Sequence, residues 1–314
     1  MYKKKPPTNA STQKLLKFIG LAVASLAAVI GIFIGATQMF GSSNIETLAQ
    51  LGVGDSIAVN QKILAKVPLE YANPEPFQSK TIRDVVLPEG KKVIALTFDD
   101  GPWPQTTENI LATLTKENVK ATFFVIGQPL RSFPEISKKV VAAGHEMANH
   151  TEHHWYKAMH GIVAQREIED TNKMLLEGLN VKTSYFRPPG GVLTNGLVAY
   201  AHQRKDTVLM WSADSGDSNP RRPSAESIIK TVVSQATPGG IVLMHDGGGN
   251  HENTAKAVPE IIRQLRAQGY TFATITELLE MGTLSPEGAS AASKAVPKPT
   301  TDAKVNKTPV KKGA

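Results

Sequence analysis

Hydrophobic positions in the central part of the chain alternate between two spacings, and this alternation predicts its secondary structure. Short apolar runs of the kind found in buried strands occupy residues 93–98, 121–126, 146–148, 184–186, 207–211, 241–244 and 270–273. Apolar residues recur at helical spacing over residues 106–117, 134–143, 162–178, 195–202, 224–235 and 254–268. Strands that alternate with helices in this way predict an α/β fold, built as a parallel barrel or a doubly wound sheet.

A longer apolar stretch precedes this region and predicts a membrane span. Residues 18–40 carry no charge, and at ~1.5 Å per residue they reach across the ~30 Å core of a bilayer. Lys14 and Lys17 lie before the stretch, so the positive-inside rule keeps residues 1–17 in the cytoplasm. We therefore expect a single-pass anchor in the cell membrane that places the rest of the chain on the extracytoplasmic side. A cleaved signal peptide, followed by secretion, is the alternative.

The segments that flank the central region are expected to form a connector and a tail. Residues 41–90 have scattered apolar positions and a Pro-rich turn signal at residues 73–76, which predicts a stalk or linker with some local structure. Residues 91–281 are expected to form the folded domain. Residues 282–314 are rich in Ala, Ser, Thr, Pro and Lys, with almost nothing to bury, so a disordered tail is expected there.

Charge and cysteine content narrow the class of function. The 314-residue chain has a net charge of +7, but residues 1–41 contribute +5 and residues 283–314 contribute +4, which leaves the centre slightly acidic. Because the centre has no basic, aromatic-rich face, we expect no nucleic-acid partner, and no obligate protein partner is evident. The absence of Cys excludes disulfides and thiolate chemistry.

Polar side chains that follow the first and third predicted strands indicate a metal site. Asp99 and Asp100 stand at the end of the first strand, where parallel α/β folds present their chemistry. His150 and His154 follow the third strand and share a face if the segment makes a helical turn, and His150 with His153 is the geometric alternative. Two imidazoles and one carboxylate suit a catalytic Zn²⁺ or another first-row divalent ion such as Co²⁺, Mn²⁺ or Ni²⁺.

These residues belong to five short motifs whose order resembles that of the polysaccharide deacetylases, carbohydrate esterase family 4, also called the nodulation-type deacetylase domain. The motifs are Thr97-Phe98-Asp99-Asp100-Gly101-Pro102, His150-Thr151-Glu152-His153-His154, Arg187-Pro188-Pro189-Gly190-Gly191, Asp214-Ser215-Gly216-Asp217 and Leu243-Met244-His245-Asp246. The resemblance covers roughly residues 90–281. It implies a distorted (β/α)7-type barrel and metal-dependent removal of N- or O-acetyl groups from sugars.

The resemblance also implies which residues perform the chemistry. By this resemblance, Asp100, His150 and His154 bind the metal ion, which lowers the pKa of a bound water and polarises the acetyl carbonyl. Asp99 is then the general base that takes the proton from water. His245 is the general acid that protonates the leaving amine, a step that suits a side chain whose pKa lies near working pH.

Supporting roles follow from the same resemblance. Arg187 is expected to pair with Asp99 and keep it ionised, and Asp214 is expected to hydrogen-bond His245 and raise the pKa of that histidine. A backbone N–H in the loop after Arg187, expected to be that of Gly190, stabilises the oxyanion.

The sequence departs from the family pattern at positions that would contact the sugar. The family usually has an aromatic residue at the position of Gly190, so a wall of the sugar groove is expected to be lost. Trp usually follows the second Asp of the fourth motif, and Ser218 stands there instead. Trp211 and Leu243 are expected to line the acetyl pocket. These changes affect the fit of the substrate more than the metal site, so we expect catalysis to be retained.

Three functions are compatible with these residues. The first is a membrane-anchored N-deacetylase acting on an acetylated glycan polymer that contains N-acetylglucosamine. Peptidoglycan is the leading substrate because the anchor places the domain near the cell wall, and chitin-like oligomers and exopolysaccharides are the alternatives. The second is a non-catalytic glycan-binding module on the same fold, and the third is an O-acetyl esterase with the same metal site.

Overall fold

The computed structural model describes residues 67–285, and the predicted membrane span at residues 18–40 lies outside that range. Within the range the strands are β1 (Leu69–Tyr71), β2 (Thr81–Ile82), β3 (Val85–Val86), β4 (Val93–Asp99), β5 (Thr122–Val125), β6 (Glu146–Asn149), β7 (Val181–Thr183), β8 (Tyr185–Phe186), β9 (Thr207–Leu209), β10 (Ala213–Asp214), β11 (Ile241–His245), β12 (Thr271–Ala273) and β13 (Thr283–Leu284). The α-helices are α1 (Thr106–Lys116), α2 (Gly127–Ser132), α3 (Pro134–Ala142), α4 (Ile162–Leu179), α5 (Leu197–Gln203), α6 (Ala225–Gln235), α7 (Glu252–Ala267) and α8 (Ile275–Met281). Two short 3₁₀ helices are Glu75–Phe77 and Pro189–Gly191.

One parallel sheet forms the centre of the domain. Its strands lie in the order β10-β11-β4-β5-β6-β8-β9-β2, and β12 pairs with the first residues of β4. Strands β9 and β10 lie towards opposite ends of this order, although only residues 210–212 separate them along the chain. The chain from the last residue of β9 to the first residue of β10 can span at most about 14 Å. Strands near opposite ends of the sheet therefore lie close together, which requires the sheet to curl. The predicted α/β fold is therefore confirmed, as a curled parallel sheet that forms a partial barrel.

Both faces of this sheet are buried, which is why its central strands are rich in apolar residues. Every residue of β4 is buried. Ile94, Leu96 and Phe98 face outwards and pack with apolar residues of α1, α6 and α7. The alternate residues of β4 face the inside of the curl, where its first residues pack against apolar residues of β5, β6, β9 and β11. This alternation directs Thr97 and Asp99 to the inside, at the carboxyl end of the strand.

The elements predicted within residues 91–281 are confirmed, and their ends agree to about two residues. Two short helices, α2 and α8, and the short strands β7 and β10 were not predicted. The sequence carries a start signal for α8, because Thr274 and Glu277 form a capping box in which each side chain accepts a hydrogen bond from the backbone of the other. Helix α2 has only six residues and no side-chain cap, so the sequence offers no comparable signal for it.

The stalk predicted for residues 41–90 is wrong for the part that the structure describes. Strand β2 joins the central sheet beside β9, and Phe77 and Ile82 are buried in the interior of the curl. Asn73 is also buried, and its Nδ2 donates a hydrogen bond to Oγ1 of Thr207 over 2.8 Å. These contacts come from isolated residues in short elements, which produce no periodic pattern along the sequence.

The domain also extends past its predicted end at residue 281. Strand β13 pairs antiparallel with β3, so the first residues of the predicted tail belong to the fold. Among residues 67–285, no helix is both long enough and apolar enough to cross a bilayer. The membrane anchor remains a prediction about residues outside that range, as does disorder of the tail beyond residue 285.

Truncation of Ile82 tests whether the segment before the predicted domain is part of its core. Ile82 has no exposed surface, so Ile82→Ala is expected to lower the free energy of unfolding by about 2–5 kcal/mol. Val86, on the neighbouring short strand, is 48% exposed, and Val86→Ala is the matched control, with an expected change within about 0.5 kcal/mol. Denaturant unfolding measures both, and small effects of equal size would show that the segment is not part of the core.

Candidate active site

The carboxyl ends of neighbouring parallel strands meet at one edge of the curled sheet and bring the candidate residues together. Asp99 is the last residue of β4, and in the register of the β11–β4 pair it stands opposite His245. His150 follows β6 directly, and Arg187 follows β8 directly. Because all of these strands are parallel, residues that are far apart along the chain end at the same edge.

Asp100, His150 and His154 converge on one point at this edge. Oδ1 of Asp100 lies 3.3 Å from Nε2 of His150 and 3.2 Å from Nε2 of His154. The ligand atoms of the three side chains all lie within 4.8 Å of one another. Asp100 has a φ of +74°, a left-handed conformation that is uncommon outside glycine although aspartate adopts it more readily than most residues, so the surrounding fold holds this residue in place.

The two histidines converge through a loop and not through the helical turn that we expected. The segment after β6 is not helical, and Thr151 and His154 have φ values of +71° and +57°. The chain bends at residues 152 and 153, and the ring centroids of His150 and His154 lie 4.9 Å apart. His153 points away, because its Nδ1 lies 2.6 Å from Oε1 of Glu167. The alternative pair of His150 with His153 is therefore wrong.

The charges at this cluster favour a bound cation. Burial, together with the charge of His150, lowers the pKa of His154 to about 4, so its imidazole is neutral at pH 7. Burial also acts to lower the pKa of His150, but the carboxylates of Asp99 and Asp100 outweigh it and raise that pKa. Burial opposes ionisation of Asp100, yet the two imidazoles lower its pKa to about 2. The negative charge that favours a proton on His150 also attracts a divalent cation.

The atoms present fit a divalent metal ion. Nδ1 of His150 lies 2.7 Å from the backbone carbonyl oxygen of Arg187, so Nδ1 acts as the donor there. Nε2 faces Asp100 and is the nitrogen that would bind a cation in place of its proton. Oδ1 of Asp100 is buried and accepts no hydrogen bond of good geometry from the described residues. An unsatisfied buried oxygen is costly, and a cation held between Asp100, His150 and His154 satisfies it. Two imidazoles and one carboxylate leave coordination positions open for water and substrate.

Asp99 lies beside the cluster and is paired with Arg187. Nη1 of Arg187 donates to Oδ1 of Asp99 over 2.6 Å and to Oγ1 of Thr97 over 2.9 Å. Nε of Arg187 donates to the backbone oxygen of Leu209 over 2.9 Å. The guanidinium is fully buried, and a buried charge of this kind needs a paired counter-charge. With Oδ1 paired in this way, Oδ2 of Asp99 faces the cluster of Asp100, His150 and His154 and lies 3.7 Å from Nε2 of His150.

Asp217 holds the candidate acid histidine, which corrects the assignment of that role to Asp214. Oδ1 of Asp217 lies 2.7 Å from Nδ1 of His245, and Oδ2 accepts from the backbone N–H of His245 over 2.8 Å. Thr254 Oγ1 donates to the same Oδ2 over 2.7 Å. The side chain of Asp214 instead accepts from the backbone N–H of Gly216 over 2.8 Å, within its own turn. Strand β10 ends at Asp214, and the turn that follows carries Asp217 to His245.

The Asp217 carboxylate controls the protonation of His245. Burial by itself would lower the pKa of His245, but the hydrogen bond and charge of Asp217, with the charges of Asp99 and Asp100, raise it to about 9. His245 is therefore protonated at pH 7, with Nδ1 bonded to Asp217 and Nε2 left to donate a proton. A second imidazole, His251, lies against this pair, with its ring stacked on His245 at a centroid distance of 5.3 Å.

Asp246 is a buried carboxyl group that supports the loop carrying Asp100, a role that its place in the fifth motif does not indicate. Thr107 Oγ1 donates to its Oδ2 over 2.6 Å. Burial, and repulsion from Asp100 and Asp99, raise the pKa of Asp246 to about 7 despite that hydrogen bond. The loop packs so closely that a Cβ on Gly101 would lie 2.2 Å from Oδ2 of Asp246. A side chain at that position would displace the loop that carries Asp100.

The residues expected to contact the substrate lie around the same edge. Gly190 has a φ of +59°, and a Cβ added to it would lie 2.6 Å from Cε1 of Tyr156. The space beside Gly190 is thus occupied by the ring of Tyr156, and the loss of a sugar-groove wall remains a prediction. A Cβ on Gly191 would lie 2.9 Å from Cη2 of Trp211. Leu243 is buried on β11, on the same strand face as His245, and its role in an acetyl pocket remains a prediction.

Comparison of two neighbouring histidines tests the metal centre. His154→Ala removes a proposed ligand and is expected to weaken Zn²⁺ binding by more than about 100-fold. This bound follows because loss of a residue that only supports a ligand already lowers metal affinity by about 10- to 100-fold. His153→Gln is the control, since His153 pairs with Glu167 and not with Asp100. Competition against a chromophoric chelator gives both affinities. Equal losses in the two variants would contradict the assigned ligands.

The curled parallel sheet, the carboxylate and imidazole cluster, the adjacent paired carboxylate and the protonated histidine together define a metal-dependent hydrolase. The profile of the polysaccharide deacetylase family matches residues 87–207. A peptidoglycan-N-acetylglucosamine deacetylase of Bacillus cereus is 36% identical over 194 residues, which is 62% of this chain and 91% of that protein. The chain belongs to the polysaccharide deacetylase family.

Solved structures agree with this assignment. A peptidoglycan N-acetylglucosamine deacetylase, crystallised with 4-naphthalen-1-yl-N-oxidanyl-benzamide, matches with a TM-score of 0.60 and 30% identity, over 66% of this chain and 96% of that chain. A pseudoenzyme of carbohydrate esterase family 4 from Bacillus anthracis matches with a TM-score of 0.56 and 28% identity, over 69% of this chain and 71% of that chain. The fold is therefore shared by proteins that are named as enzymes and by one that is named as a pseudoenzyme.

Proposed function

We propose that this chain is a metal-dependent hydrolase that removes N-acetyl groups from the N-acetylglucosamine units of peptidoglycan. One observation carries the proposal: Asp100, His150 and His154 converge within 4.8 Å, with a base candidate, Asp99, beside them and an acid candidate, His245, on the neighbouring strand. The names of the similar Bacillus cereus protein and of the similar crystal structure support peptidoglycan N-acetylglucosamine as the substrate.

The metal ion that we propose is Zn²⁺. Two neutral nitrogen ligands and one carboxylate, with positions left open, are typical of catalytic zinc sites. Such an ion, when bound by Asp100, His150 and His154, supplies Lewis acidity that lowers the pKa of water and polarises a carbonyl oxygen. Co²⁺, Mn²⁺ and Ni²⁺ accept the same donor types, so metal reconstitution of the purified protein distinguishes them by rate.

Two side chains move the protons of the reaction. Asp99 takes a proton from water at Oδ2, because Oδ1 is engaged by Arg187. The water oxygen then attacks the acetyl carbonyl carbon, and the bond between that carbon and the amide nitrogen breaks, so that the nitrogen stays on the sugar. His245 gives the proton on Nε2 to the departing amine, since Nδ1 stays bonded to Asp217. The products are acetate and a sugar with a free amine. The carbonyl oxygen becomes negatively charged when water attacks, and the backbone N–H of Gly190 is proposed to stabilise that oxyanion.

A non-catalytic glycan-binding module is the second candidate, and similarity to the pseudoenzyme from Bacillus anthracis is the observation that favours it. The buried pairs at this site argue against it. Arg187 is fully buried on Asp99, and Asp217 accepts hydrogen bonds from His245. A module that only bound glycans would not require a protonated histidine opposite a paired carboxylate.

The location proposed for the protein follows from its sequence. Residues 18–40 are proposed to anchor the chain in the cell membrane, with the deacetylase domain on the extracytoplasmic side, next to peptidoglycan. A reporter fused after residue 314, active only outside the cytoplasm, tests the orientation. Its activity in the medium instead of the membrane fraction would indicate cleavage and secretion.

Acetate release from acetylated glycans tests the proposed function. The purified protein, loaded with Zn²⁺, is expected to release acetate from oligomers of N-acetylglucosamine and from peptidoglycan, and a chelator is expected to abolish the release. O-acetylated xylan serves as the ester substrate, and a faster rate on it would favour an O-acetyl esterase. Absence of release from every glycan, with each of the four metals, would favour the binding module.

A further inference from the structure

The loop after His154 carries an aromatic side chain that the proposed chemistry does not use. Tyr156 is 59% exposed. Its ring lies edge-on to His154, with the centroids 5.1 Å apart and an angle of 87° between the planes. On another side the ring lies against Gly190, where a Cβ would approach Cε1 of Tyr156 to 2.6 Å. A large ring thus stands open to solvent next to a metal-binding imidazole and the proposed oxyanion loop.

The absence of a side chain at position 190 makes room for this ring. Gly190 combines a left-handed φ of +59° with the close approach to Tyr156, so any other residue there would displace the ring as well as strain the backbone. Its neighbour Gly191 approaches the ring of Trp211 in a similar way. The 3₁₀ turn is therefore flanked by two aromatic rings, and Tyr156 is the more exposed of the two.

Tyr156 differs from its neighbour Trp155, whose ring is already engaged. Trp155 stacks on His153 with a centroid distance of 4.4 Å and an angle of 14°. The Lys157 ammonium lies 3.4 Å from the centre of the Trp155 ring. The two residues thus share a loop and an aromatic character, but Tyr156 has the ring surface that is free to meet a ligand at the site.

We propose that Tyr156 forms a sugar-binding subsite, on which the pyranose ring that carries the acetyl group packs while its carbonyl reaches the metal cluster. The inference rests on the proposed function. A pyranose ring has apolar C–H faces and a rim of hydroxyl groups. Tyrosine offers both an aromatic surface and a polar phenol O–H at the end of its side chain. The ring of Tyr156 borders both His154 and Gly190, so a sugar on it is held beside the groups that act on its acetyl substituent.

Binding to the metal-free protein tests the subsite without turnover. Calorimetry with the tetramer of N-acetylglucosamine is expected to show affinity about tenfold weaker for Tyr156→Ala than for the unsubstituted protein, because one aromatic contact and its buried area are lost. Trp155→Ala removes a neighbouring ring from the same loop and is expected to bind as the unsubstituted protein does. Equal affinities of Tyr156→Ala and the unsubstituted protein would overturn the subsite.

Kinetics on two substrates separates a sugar contact from an effect on the metal site. The ratio of kcat/KM for the tetramer to kcat/KM for 4-nitrophenyl acetate, an ester without a sugar, is expected to fall about tenfold in Tyr156→Ala, mainly through KM for the tetramer. An unchanged ratio would show that Tyr156 acts only through His154 or Gly190 and would refute the subsite. If the protein bound the tetramer but released no acetate from it, the proposed function would fail, and the calorimetric comparison would still decide the role of Tyr156.

Discussion

Asp99→Asn is expected to lower the rate of acetate release by about 10²- to 10⁴-fold, the usual contribution of a positioned base, and to leave the metal content unchanged. Asparagine has the shape of aspartate and can still accept the hydrogen bond from Nη1 of Arg187 through Oδ1. Its amide group cannot take a proton from water. Acetate release per bound metal ion, with the metal measured by elemental analysis, separates loss of the base from loss of the ion.

A second buried aspartate provides the control for this substitution. Asp206 is also buried and paired with an arginine, since Nε of Arg204 donates to its Oδ2 over 2.8 Å. Asp206→Asn therefore removes a similar charge pair from another part of the domain, and we expect it to change the melting temperature more than turnover. If Asp99→Asn retained normal turnover with a full complement of metal, the base would have to be another group.

Asp217→Asn is expected to reduce turnover by about 10³- to 10⁴-fold, whereas Asp214→Asn should leave it nearly unchanged. A carboxylate that fixes the orientation and tautomer of a catalytic histidine contributes about 10⁴-fold in serine proteases. Asp217 contacts both Nδ1 and the backbone N–H of His245, whereas the side chain of Asp214 bonds to Gly216. The two variants remove the same charge from one short motif, and their rates at pH 7 show directly which aspartate acts on His245.

The pH dependence of the same two variants provides an independent measurement. The acid must be protonated to act, so activity is lost as the pH rises through the pKa of His245, which is raised to about 9. Without the Asp217 carboxylate that pKa falls towards the unperturbed value of about 6.5, and the alkaline limb of the kcat profile moves to lower pH. Asp214→Asn should leave the limb in place. If the alkaline limb moved in Asp214→Asn and stayed in place in Asp217→Asn, Asp214 and not Asp217 would be the residue that acts on His245.

The secondary structure of the central domain could be predicted because its signal is local. Strand β4 begins with four apolar residues, its last residue is Asp99 and a second carboxylate follows at Asp100, and α7 repeats its apolar residues at helical spacing. The two-residue strand β2 could not be predicted, because Ile82 is buried by pairing with β9, more than 100 residues away along the chain. Short elements of this kind are stabilised by distant partners and leave no periodic pattern.

The candidate site also has features that could be predicted from the sequence and others that depend on the fold. The donor types of the proposed metal site could be predicted from Asp100, His150 and His154. The loop that brings the histidines together, however, depends on the left-handed backbone conformation of Thr151 and His154. The fourth motif contains Asp214 and Asp217, and its spacing did not distinguish them. The turn after β10 selects Asp217, because the parallel pairing of β10 with β11 determines where each residue lies relative to His245.

The sequence by itself determined the alternation of strands and helices, the residue types of the metal cluster and their place at strand ends, because hydrophobic spacing and adjacent polar residues are local properties of the chain. Only the tertiary structure decided which aspartate meets His245, that Tyr156 fills the space beside Gly190, and that residues 68–87 complete the domain. These outcomes depend on contacts between residues that are distant along the chain, and such contacts form only when the parallel sheet curls and brings its strand ends together.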